Sequence, residues 1–133
     1  MAVFKTFTSD SRYDNSELNR VETNFEEVLG MANTLLYDNI QHTTKTDRDS
    51  KYIDRSDAFT RISNNIDSVK IEIGTAWTYQ TLVLDYAYPT SFHYQEANKW
   101  EFNLEFLYNH LTINLKYRKR CGTFNAGGAD YVL

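Results

Sequence analysis

Three stretches of this chain carry the same helical stripe, and that recurrence limits the fold more than any other feature. Around ELNRVETNFEEVL (17–29), Leu18, Val21, Phe25, Val28, Ala32 and Leu35 step by three and four. Around AFTRISNNIDSVK (58–70), Phe59, Ile62, Ile66, Val69 and Ile73 do the same. Ala97, Trp100, Leu104, Leu107 and Leu111 repeat it around EANKWEFNLEFLY (96–108). Such steps put side chains on one face of an α-helix, and that face must be buried against a partner element. Three such faces in 133 residues predict a mutual core and a single domain over 1–133.

The polar residues recur as well. Arg20, Arg61 and Lys99 stand 41 and 38 residues apart (20 to 61, 61 to 99). Each precedes an apolar residue (Val21, Ile62, Trp100), and four residues after each cation comes Asn24, Asn65 or Asn103. An acid follows two residues later: Glu26, Asp67, Glu105. Asparagine is a mediocre residue inside a helix, because its amide competes for backbone hydrogen bonds. Three at one aligned position suggest a shared role, in which each amide ties down the chain that enters the same or a neighbouring helix. The cation one turn earlier lies on the same face and is placed to join it. Tyr13, Tyr52 and Tyr94 precede the helices, and DSRY (10–13) and DSKY (49–52) are almost the same word. The repeat units fall near 13–37, 52–73 and 94–115. Three units with unlike linkers do not make a regular solenoid.

Residues 1–8 alternate in apolarity and predict a short strand. A helix is predicted over 15–37, capped by Asp14 or Ser16, with Gly30 weakening it. The polar stretch 38–55 reads as a long loop and a contact surface. Ser56 caps a second helix. TAWTYQTLVLDYAY is rich in β-branched and aromatic residues and reads as one or two strands, with a continued helix as the alternative. Thr90 or Ser91, after the turn at Pro89, caps the third helix. Gly127-Gly128 marks a turn, after which YVL could finish as a short strand. The fold class is α+β, mainly α: three short amphipathic helices with a few short strands and extended termini.

Chemistry-bearing patterns are weak. His42, His93 and His110 form no metal-ligand spacing with each other or with Cys121, so no metal site is expected. GTFNAGGA lacks the Lys-Ser/Thr that a phosphate loop requires, and no G-x-S-x-G elbow occurs. The carboxylate pairs Glu26–Glu27 and Glu101–Glu105 read as solvated helix faces rather than an acid–base pair. No catalytic residue and no cofactor is therefore expected. A net charge of −4 argues against nucleic acid. The basic run KYRKR (116–120) reads as a helix end facing its dipole or an acidic partner surface. MAVFKTFTSD turns polar too soon for a signal peptide, and no apolar run is long enough for a membrane span. Synthesis in a cytoplasm is expected. Aromatics make up 15% of the chain, with ten Tyr, enough to equip protein interfaces. Tyr52, Trp77, Tyr94, Tyr117 and Tyr131 are the candidate interface residues.

NRVETNFEEV, SDAFTRISNNIDSVK and YQEANKWEFNLEFL resemble the N-R-[IV]-E-x-N-[IF] helix signature of small structural proteins from tail and baseplate regions. These belong to tailed phages and prophages of Gram-positive bacteria. The ending CGTFNAGGADYVL is similar to endings in that group. The second copy departs at Thr60 and Ser63, and the third at Lys99 and Trp100. The resemblance implies a non-enzymatic virion protein, made in the host cytoplasm, of the distal tail, baseplate or fibre attachment. Its partners would be other tail or baseplate proteins and further copies of itself. The alternatives are a module recognising a host cell-wall glycan through Trp77 and Tyr-rich loops, a head–tail connector component, or a small regulator binding one protein.

Overall fold

The computed structural model describes residues 2–10, 13–36, 38–39, 41–49, 51, 53, 56–73, 80–87 and 90–121, the side chains of 118–121 excepted. Three helices appear in order: α1 (Asn15–Leu36), α2 (Ser56–Ile73) and α3 (Tyr94–Cys121). Each begins nine residues before its aligned asparagine (15 to 24, 56 to 65, 94 to 103). The caps differ. At α1, Asp14 accepts the Ser16 and Glu17 N–H groups through Oδ1 at 3.1 and 3.4 Å. At α3 the predicted caps Thr90 and Ser91 stand too far upstream. The His93 carbonyl instead receives the Glu96 and Ala97 N–H groups.

The stripes meet in one core. Val21, Val28, Ala32, Ile66, Val69, Trp100, Leu104, Leu107 and Leu111 are wholly buried. Burying side chains of this size stabilises the fold by about 1.5–3 kcal/mol each, before conformational entropy is counted. At one end the core is aromatic. Phe59 stacks on Phe92 at 4.9 Å, Phe92 lies 4.6 Å from Trp100, and Tyr13 sits between Phe7 and Phe92.

Each helix is paired with an extended segment: segment 1 (residues 2–8), segment 2 (43–48) and segment 3 (80–87). The predicted short strands are not seen here. Among the described residues there is no strand, because these segments pair with helix side chains rather than with another backbone. Residues 80–87, for which strand and helix were both open, are extended and unpaired in this sense. Residues 74–79, Tyr88, Pro89 and 122–133 lie outside the described residues. The described part of the predicted loop 38–55 forms no helix or strand, yet it is not all exposed. Its centre is docked, and Arg48 is buried.

The order of contacts along the segments sets the topology. Segment 1 reaches Asn24 through Val3 and Glu17 through Lys5, so it runs antiparallel to α1. It meets Glu101 through Lys5 and Asn98 through Phe7, so it runs antiparallel to α3 too. Segment 2 does the same between α1 and α2: His42 meets Ser68, Thr43 meets Asn65, Lys45 meets Glu22 and Arg48 meets Asn19. The three helices therefore run in one direction, each with its segment returning beside it. The result is a pseudo-threefold ring of segment–helix units around the core.

Candidate functional site

The recurring polar residues line the three seams between helices, and each seam holds one segment by side-chain hydrogen bonds from equivalent positions. The aligned asparagine of each helix grips its own segment. Asn24 Nδ2 donates to the Val3 carbonyl at 2.7 Å while the Val3 N–H reaches Oδ1 at 3.4 Å. Asn103 donates to Gln80 at 2.8 Å and accepts its N–H at 3.1 Å. Asn65 Nδ2 donates to Thr43 at 2.9 Å. A primary amide presents one donor and one acceptor side by side, which matches the edge of an extended peptide unit. The side chain thereby substitutes for a neighbouring strand.

The residue before each cation grips the far side of the next seam. Asn19 of α1 exchanges both hydrogen bonds with Arg48 of segment 2, at 2.9 and 3.1 Å. Asn98 of α3 does so with Phe7 of segment 1, at 2.9 and 2.7 Å. At the same place in α2, Thr60 Oγ1 accepts the Tyr86 N–H of segment 3 at 2.8 Å. Each segment is thus clamped between its own helix and a neighbour, and α3 closes the ring onto segment 1.

Carboxylates complete two seams. Glu101 accepts the Lys5 N–H and takes the Arg20 guanidinium through both oxygens, at 2.9 and 2.6 Å. Glu22 accepts the Lys45 N–H, the Arg61 guanidinium at 2.7 and 2.6 Å, and the wholly buried Arg48 guanidinium. In both cases the cation of one helix meets the acid two positions further along the motif of its neighbour. The third seam breaks the pattern. Ser63 stands where an acid would, and Trp100 Nε1 donates to its Oγ at 2.8 Å. Lys99 turns instead to Glu96 of its own helix, 3.6 Å away.

The charges hold one another in place. Burial alone would lower the Arg20 pKa, but the hydrogen bonds and charges of Glu101 and Glu17 outweigh it and raise it. Burial would raise the Glu17 carboxyl, yet Lys5 and Arg20 hold it below its usual value. Burial pushes the Tyr86 hydroxyl up to about 12. Glu22 and Glu101 each accept hydrogen bonds from guanidinium and backbone N–H donors.

The structure brings Arg20, Asn24, Arg61, Asn65, Lys99 and Asn103 to equivalent levels of the ring. Asn19, Thr60, Asn98, Glu22, Ser63 and Glu101 share the work, a role the sequence reading did not give them. Their signal was the motif itself, in the Asn before the cation and the Glu two places after it. Thr60 and Ser63 look like departures until their hydrogen bonds are seen. Glu101 is also a correction, because it is buried rather than part of a solvated carboxylate face. Tyr94 and Tyr117 are exposed near opposite ends of α3 and do not share a patch. Tyr52, Trp77 and Tyr131 lie outside the described residues. Among the described residues, no group of three or more His, Cys, Asp or Glu is placed to hold a metal ion. No described helix is long and apolar enough to cross a membrane. A cleft of about 230 Å³ lies over α3, between Lys5 and Thr6 on one side and Gln80 on the other.

Comparison with protein-family models, with curated proteins and with solved structures finds no match for this chain.

Proposed function

We propose that the protein is a non-enzymatic structural subunit of a phage tail, at the distal tail, baseplate or fibre attachment. It works by protein–protein contact in a symmetric assembly. The observation that carries the proposal is what the helix signature does. The residues of NRVETNF and its two counterparts hold the chain's own extended segments, so the signature is architectural. That same signature is what resembles the tail and baseplate proteins. Exposed Val3, Ile53, Ile71, Leu84, Tyr94 and Tyr117 supply apolar area for neighbours. The N-terminal segment is also the candidate arm that would add a strand to a neighbouring subunit.

The test is immunogold electron microscopy of particles from an induced culture of the encoding strain, with antibody to the recombinant protein. Gold at the tail tip is the expected result. Gold at the portal vertex would favour a connector role. Protein confined to the soluble fraction, with bare particles, would overturn the proposal.

A further inference from the structure

Helix α3 is longer than the core requires. It runs eighteen residues past its aligned asparagine (103 to 121), whereas α1 runs twelve (24 to 36) and α2 eight (65 to 73). Its last fully buried side chain is Leu111. The overhang beyond the end of α1 is about 9 Å at 1.5 Å per residue.

The face of α3 opposite the core is not polar throughout. Phe102, Phe106, Asn109, Ile113 and Tyr117 step by four, three, four and four, so they form one outward stripe. Phe102 is 36% exposed, Ile113 53% and Tyr117 49%. Phe102 and Phe106 have ring centroids 6.4 Å apart. Charge is divided along the same helix. Glu96, Glu101 and Glu105 lie in its first half, where Lys99 is paired with Glu96, and the run KYRKR lies at its end. Glu105 and Lys116 are eleven residues apart, three helical turns, and so line one flank of the stripe.

We infer that two copies of the chain dimerise through this face, with the two α3 helices antiparallel. A parallel pair would bring the two acidic halves to one level and the two KYRKR runs to another, with no opposite charge across the seam. An antiparallel pair sets Glu105 beside the other copy's Lys116 and Phe102 beside its Tyr117. The midpoint of the stripe then falls at Asn109–His110, and Asn109 meets the same polar region of the second copy, which fixes register. This inference deepens the proposed structural role by naming a self-contact. It is tested on purified protein alone, so either can fail without the other.

The experiment is sedimentation equilibrium of the full chain over a wide concentration range. A concentration-dependent monomer–dimer equilibrium is expected, abolished by Ile113→Asp with the helical circular dichroism unchanged. Glu105→Lys or Lys116→Glu alone should weaken the dimer by about tenfold, because the two-fold axis duplicates the pair. The two together should restore it. In a Cys121→Ser background, mixing Phe102→Cys with Tyr117→Cys should give the mixed disulfide on mild oxidation. A monomer at every concentration would overturn the inference. So would preferential 102–102 and 117–117 crosslinks, which report parallel pairing.

Discussion

Substitution of Glu22 by Gln tests the ring most directly. The Glu22 side chain is 2% exposed and pairs with Arg48, whose side chain is 0% exposed, and with Arg61 at 28%. Glutamine keeps the shape but removes the charge, leaving the Arg48 guanidinium buried without a counter-ion. Breaking a buried pair from one side costs about 3–5 kcal/mol. Total stability of a domain this size is about 5–15 kcal/mol, so the loss is a large share of it. Urea unfolding followed by circular dichroism reads the effect. With a slope of about 2 kcal/mol/M, the midpoint should fall by roughly 2 M. The double substitution Glu22→Leu with Arg48→Met removes both charges and should recover most of the loss, because an apolar replacement carries no stranded ion. Arg61 is exposed enough to turn to water. A loss below about 1 kcal/mol for Glu22→Gln, or a double variant no better than the single, would refute the reasoning.

Three further outcomes are expected. Asn103→Ala strips both hydrogen bonds from Gln80 and should cost about 1–3 kcal/mol in the same unfolding assay. Gly30→Ala should stabilise by about 0.5–1 kcal/mol and raise the thermal midpoint by a few degrees, since a Cβ there meets nothing within 4 Å and a mid-helix glycine is costly. Glu17 has a folded-state pKa below 4.5, so its contribution is present above that value and is lost as pH falls through the depressed pKa. Stability measured against pH should therefore drop in that acid window, and Glu17→Gln should flatten the drop.

The aligned asparagines were visible in the sequence, but their partners were not. Asn24 finds Val3 21 residues away, and Asn98 finds Phe7 91 residues away. Nothing in the local pattern of either residue encodes such a distance. Arg48 shows the same limit. In the polar run DNIQHTTKTDRDSKYIDR it reads as a solvated cation, and only the neighbouring Glu22 and the Asn19 clamp make it a core residue. The strand reading of residues 1–8 failed for a related reason. Alternation reports an extended chain with two faces. It does not report whether the backbone edge meets a strand or a row of side-chain amides.

The sequence by itself determined the three helices and their buried faces, because helical periodicity is written in residues three and four apart. It also determined that one polar motif occurs three times. Tertiary structure alone decided that each segment lies between two helices, that α3 closes the ring on the N-terminal segment, and that the third seam uses Trp100 and Ser63 in place of an ion pair. Those contacts are set by how three faces fill one core, and packing joins residues that sequence order keeps apart.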